Sequence, residues 1–176
     1  IDALKSVNDG ACMLFGSTVD SLRASSILEN MRTLHLRMKQ HSANGLYLAN
    51  AFNEIGIKTV YPGLSTHPSH EIFKSMYNSE FGFGGMLTID VGSLEKANAV
   101  MELMQERNIG YLAVSLGFYK TLFSAPGTST SSEIPADEQK EMGLSDGLIR
   151  FSIGLDNDIA RTFELMKGCL KDLNVI

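Results

Sequence analysis

Apolar residues in this chain change their spacing several times, and each change marks an element. Ser145–Leu155 alternates: as a strand it places Ile149, Phe151, Ile153 and Leu155 on one face and Leu148, Arg150, Ser152 and Gly154 on the other. The first face reads as core. Tyr111-Leu-Ala-Val-Ser-Leu-Gly117 is instead continuously apolar, which predicts a buried strand over Tyr111–Ser115. Shorter strands are expected at Lys58–Tyr61, closed by Pro62-Gly63, at Gly85–Val91 and near Thr121–Phe123.

Helical spacing fills the intervals. A short helix is expected over Ile1–Asn8, followed by a Gly-bounded segment Gly10–Gly16 and a helix start at Ser17-Thr-Val-Asp20, with Ser17 as cap. The pattern then runs, with a break near Asn30, to Ile55; Leu46, Ala49, Phe52 and Ile55 form its expected buried stripe and Gly56 its stop. Further helices are expected over Ser69–Tyr77, from a Ser93 cap to Arg107 with Leu94, Ala97, Met101 and Met104 on one face, from Pro135 to Gly143, and over Asp158–Leu173. Such interleaving predicts an α/β fold: a mixed, largely antiparallel sheet with helices on one side. A chain of 176 residues supports one real core.

Composition narrows the classes of function. With 15 basic and 20 acidic residues the net charge is −5 and no basic cluster stands out, which argues against nucleic acid or an anionic membrane as partner. No apolar run approaches the ~18 residues of a membrane span, and no secretory pattern opens the chain. Cys12 and Cys169 lack metal-ligand spacing and read as two free thiols, which fits a reducing, cytoplasmic setting.

Arg150 is the first candidate for ligand chemistry. Its planar fork suits a carboxylate or phosphate, and the small Ser152 and Gly154 beyond it on the same face leave space beside it. The alternative is an arginine on a solvated sheet face paired with a nearby Asp or Glu. His67-Pro-Ser-His70 lacks a third ligand and reads as a turn with solvated histidines; His35 and His41 read as packing or surface groups. Met101 and Met104 read as core filling. Gly82-Phe-Gly-Gly85 lacks the spacing of a dinucleotide fingerprint and reads as a turn entering a strand. Thr128–Ser132 is either a mobile tip or a lid.

Several of these segments carry a resemblance. Leu34-His-Leu-Arg-Met38, Tyr61-Pro-Gly-Leu-Ser-Thr-His-Pro68, Phe83-Gly-Gly-Met86, Tyr111-Leu-Ala-Val-Ser-Leu-Gly117, Ala125-Pro-Gly-Thr-Ser-Thr-Ser-Ser-Glu133 and Ser145-Asp-Gly-Leu-Ile-Arg-Phe-Ser-Ile-Gly154 occur in order across nearly the whole chain. Together they resemble the C-terminal part of the pyridoxal-phosphate (PLP) enzymes of cysteine and methionine metabolism. The resemblance implies the small domain of a fold-type I PLP enzyme, with 1–30 as a remnant of the cofactor domain and the start of a linking helix, and 31–176 as the substrate-binding domain. It implies that Arg150 binds the α-carboxylate of a sulfur amino acid and that Ser115 lines the same pocket. Val114 stands where cystathionine-handling members commonly carry glutamate and methionine γ-lyases carry valine, which favours a branch that eliminates a thiol from methionine to leave a 2-oxo acid and ammonia. Phe118 departs from a glycine common at its position. A cystathionine γ-lyase or γ-synthase fragment, or a non-catalytic scaffold, is the alternative. The resemblance further implies PLP as cofactor of a full-length homo-oligomer, a tetramer.

The family holds PLP as a Schiff base on a lysine in a Ser-x-Thr-Lys setting, and none of the nine lysines here has that setting. No catalytic or cofactor-binding residue is therefore assigned in this chain, nor any metal ligand. The expectation is a C-terminal part of a longer enzyme, inactive alone.

Overall fold

A computed structural model describes residues 4, 5, 7–16 and 18–176. The chain divides into two units, Ile1–His35 and Leu36–Ile176. In the first, a π-helical turn Val7–Cys12 runs into Met13–Phe15, and helix α1 covers Ser21–Met31. Asp20 caps α1: its carboxylate accepts from the Arg23 amide at 3.0 Å and pairs with the Arg23 guanidinium. Capping therefore falls three residues beyond Ser17, which lies outside the described residues, as do Ile1–Ala3 of the expected first helix. The break expected near Asn30 is present as a turn at 32–33.

Helix α2, Leu34–Glu54, leads into the second unit, where β1 (Lys58–Val60), α3 (His70–Met76), β2 (Met86–Asp90), α4 (Leu94–Glu106), β3 (Gly110–Leu112), β4 (Thr121–Ser124), α5 (Ala136–Glu141), β5 (Leu148–Ser152) and α6 (Ile159–Asp172) follow. The strand order is β1-β2-β5-β4-β3, antiparallel throughout except for the parallel pair β3–β4. This is the mixed, largely antiparallel α/β arrangement that the alternation predicts. The strand face made by Leu87, Ile89, Phe123, Ile149 and Phe151 is fully or almost fully buried with Phe52 of α2, Val100 and Met104 of α4, and Phe163 and Met166 of α6. Phe52 stands at the centre, with ring centroids 6.2 Å from Phe151 and 5.5 Å from Phe163. Each such side chain contributes about 1.5–3 kcal/mol through burial.

Two expectations are corrected. Leu46 is 37% exposed, and the buried face of α2 runs instead through His41, Asn44, Gly45, Leu48 and Phe52. Polar residues occupy that face because the chain beyond β5 presents backbone groups to it: His41 donates from Nδ1 to the Ile153 carbonyl at 2.6 Å, and the Asn44 amide donates to the Gly154 and Asp156 carbonyls at 2.9 and 2.8 Å. The second correction concerns β3. It is an edge strand, ends at Leu112, and leaves Tyr111 and Leu112 38% and 41% exposed, so its continuous apolar run does not signal burial within this chain.

The parallel β3–β4 pair has a topological consequence. Chain leaving β3 must return along the sheet before β4 can start, and residues 113–120 do so across β4 as far as β5. There the Gly117 amide donates to the Ser152 hydroxyl at 3.1 Å, and the Leu155 amide donates to the Tyr119 carbonyl at 2.7 Å. Gly117 turns the loop at φ 68°, a conformation that other residues resist. Gly154 admits it: a Cβ there would stand 2.5 Å from the Tyr119 carbonyl oxygen. The space that the sequence leaves beside Ser152 and Gly154 is thus filled by the chain itself.

Gly154→Ala should accordingly destabilise the protein by about 1–3 kcal/mol through overpacking against fixed backbone. Urea denaturation measures this, and an unchanged midpoint would contradict the close approach of 119–121 to β5.

Candidate functional site

β5 is the central strand, bonded to β2 on one side and β4 on the other. Its alternation behaves as the sequence indicates at Ile149, Phe151 and Ile153, which are fully buried, but β5 ends at Ser152 and Leu155, expected on the same core face, is only half-buried. On the opposite face Arg150 is half-buried, directly across from Thr88 on β2 and Ser124 on β4. Its Nε is buried without a hydrogen-bond partner, and no ion pair reaches its guanidinium among the described residues. Other arginines behave differently: Arg23, Arg32 and Arg107 pair with Asp20, Glu29 and Asp172. Asp90, the acid on the same sheet face across from Leu148, is committed elsewhere. It accepts from the Gly92 amide, the Ser145 hydroxyl and the Lys58 ammonium at 3.0, 2.8 and 3.2 Å. Burial pushes its carboxyl up, and those three donors outweigh burial and hold it below the usual range.

The 113–120 loop comes to this same face. Gly117, two residues past Ser115, bonds Ser152, which stands two residues past Arg150 and roughly 7 Å from it along β5. Ser115 itself is exposed, and Val114 is 60% exposed. Val114 and Ser124 line one hollow of about 270 Å³ together with Leu112, Phe123, Thr128 and Ser129. Phe118 stacks obliquely between Tyr119 and Tyr111, with centroids at 4.5 and 6.5 Å. Ser124 is a residue that sequence reasoning missed. The available signal was a small polar residue following a buried strand, but its register against Arg150 is a tertiary fact.

The hydroxyl-rich segment after β4 is fastened down. Ser129 Oγ donates to the Ala125 carbonyl at 2.6 Å, and the Gln139 amide of α5 donates to the carbonyls of Gly127, Ser131 and Ile134 at 3.4, 3.0 and 2.9 Å. Histidines serve local structure: the Ser69 amide donates to His67, and His70 donates from Nδ1 to the Pro62 carbonyl while stacking on Phe83 at 5.1 Å. His70 is largely buried, so the expectation of a solvated side chain is corrected for it.

Among the described residues, Arg150 fits an anion, and neither the 82–85 turn nor the hollow beside Val114 offers a place for a cofactor phosphate or its lysine. In the 82–85 turn, the Gly84 amide is taken by Ser42 Oγ at 2.8 Å and the Gly84 carbonyl by the Tyr61 hydroxyl at 2.7 Å. Lys39, Lys58 and Lys120 are engaged by Glu80, Asp90 and Asn108. No lysine lines the hollow beside Val114.

A family model described as Cys/Met metabolism PLP-dependent enzyme matches residues 3–164. The chain belongs to that family. A methionine gamma-lyase of Arabidopsis thaliana is 41% identical over 155 residues, covering 88% of this chain and 35% of the relative. A cystathionine beta-lyase of Lactococcus lactis is 36% identical over 132 residues, covering 74% of this chain and 33% of the relative. Among solved structures, an O-acetylhomoserine (thiol)-lyase of Campylobacter jejuni, holding a pyridoxyl-lysine phosphate, superposes with a TM-score of 0.84 at 27% identity over 94% of this chain and 39% of its own. This member of the Cys/Met metabolism PLP-dependent family therefore spans about a third of the length of the relatives it matches. No helix among its described residues is long and apolar enough to cross a membrane.

Because no lysine here has the Schiff-base setting, the 176-residue chain incubated with PLP and reduced with borohydride should carry no stoichiometric label on any one lysine. Peptide mapping decides it; one fully labelled lysine would overturn the assignment of the cofactor site to other sequence.

Proposed function

We propose that this chain supplies the substrate-carboxylate site of a carbon–sulfur lyase that eliminates a thiol from methionine or a related sulfur amino acid, leaving a 2-oxo acid and ammonia. The observation that carries the reading is Arg150: a half-buried guanidinium with no counter-charge among the described residues. A charge removed from water without a partner is costly, and a bound carboxylate is the group that best completes this one, through two parallel hydrogen bonds. PLP, held by sequence outside this chain, supplies the electron sink for the elimination. Ser115 lines the pocket from the loop over β5, and residues 31–176 form the substrate-binding domain. The complete enzyme acts in the cytoplasm as a homotetramer, in line with the resemblance and with Cys12 and Cys169 as free thiols.

Val114 favours methionine over cystathionine. An apolar group suits a thioether chain, whereas a carboxylate at that position can pair with the distal ammonium of cystathionine.

In the complete enzyme Arg150→Ala should cost about 2–5 kcal/mol of transition-state binding, with Arg150→Lys a partial rescue because a point charge does not reproduce the fork. Steady-state kcat/KM measures the loss, and a near-normal value for the alanine variant would return Arg150 to a structural role. Val114→Glu should shift the ratio of kcat/KM values from methionine towards cystathionine; an equal fall on both substrates would remove Val114 from specificity.

A further inference from the structure

Two buried polar atoms have no hydrogen-bond partner among the described residues, and they belong to the same cross-strand pair: Arg150 Nε and Ser124 Oγ. Buried polar groups are almost always satisfied, so two orphans on directly opposed residues of adjacent strands point to a common cause. Their chemistry is complementary, since Nε–H only donates and a hydroxyl oxygen accepts. Opposed side chains in an antiparallel pair have Cβ atoms about 4.5–5.5 Å apart, within reach of a serine hydroxyl and the stem of an arginine. Ser124 is also 95% buried, which keeps water from substituting for either partner.

We infer that Ser124 is a positioning residue for the carboxylate site: its hydroxyl accepts from Arg150 Nε when the fork engages a substrate, aiming the two terminal nitrogens at the carboxylate. The inference rests on the reading of Arg150 given above and adds a residue that neither the sequence motifs nor the relatives' names assign. Thr88 flanks Arg150 on the other side and has no counterpart orphan atom. Ser124, the last residue of β4, also lines the hollow that Val114 borders, so substrate orientation and side-chain selection meet at the end of β4.

Threonine and valine at 124 have the same shape and differ by the hydroxyl, and β4 tolerates both as β-branched residues. In the complete, PLP-loaded enzyme, Ser124→Thr should keep the KM for L-methionine near wild type. Ser124→Val should raise KM about tenfold with kcat little changed, since a hydrogen bond that orients a charged group is lost. The dissociation constant of L-norleucine, which has no thiol to lose, should rise in parallel. Ser124→Ala serves as the smaller variant should valine not fold, with the same expected split. In an Arg150→Ala background Ser124→Val should add nothing to the loss. Equal KM values for the Thr and Val variants overturn the role of Ser124 while leaving Arg150 intact. An Arg150→Ala enzyme with wild-type KM overturns the reading beneath it.

Discussion

A guanidinium with no counter-charge among the described residues, carried at the middle of a sheet, is the constraint on which the reading of this chain depends. β5 is held on both sides, by β2 and by β4, so the backbone at Arg150 cannot shift without breaking ladder hydrogen bonds. The strand below it is equally fixed, because Ile149, Phe151 and Ile153 are fully buried against helices on the other face. Asp90, the acid on the Arg150 face across from Leu148, already accepts from three donors. Proteins rarely leave such a charge unpaired unless a ligand completes it, and rigid placement is what a binding group requires.

The edge of the sheet brings the 113–120 loop to the face that carries Arg150. A parallel β3–β4 pair obliges residues 113–120 to cross the sheet, and the bonds from Gly117 to Ser152 and from Leu155 to Tyr119 fix how far they go. Gly117 supplies the turn and Gly154 the clearance. The exposed apolar residues on this edge, Leu112, Val114 and Leu116, belong to a chain that spans about a third of its relatives' length.

Much of the fold is legible in the sequence because its signals are local. The Ser93 cap accepts from the Lys96 amide, Met101 and Met104 are buried on α4, and the alternation of Ile149, Phe151 and Ile153 marks the core face of β5. The misses at β3, on α2 and around Arg150 share one physical origin, since each depends on partners distant in sequence. Continuous apolar character at Tyr111–Ser115 cannot distinguish a strand buried within this chain from an edge strand. Leu46 fits a helical stripe, yet backbone groups following β5 select a face that contains His41 and Asn44. Arg150 is legible as a candidate, whereas its lack of a counter-charge and its pairing with Ser124 are properties of register alone.

The central claim is that Arg150 has no counter-charge among the described residues because a substrate carboxylate takes that place. A crystal structure of the complete enzyme soaked with L-norleucine tests it most directly. The account predicts the carboxylate in two hydrogen bonds to the Arg150 guanidinium at about 2.7–2.9 Å. An Asp or Glu from another segment paired with Arg150, with the carboxylate bound elsewhere, would contradict it.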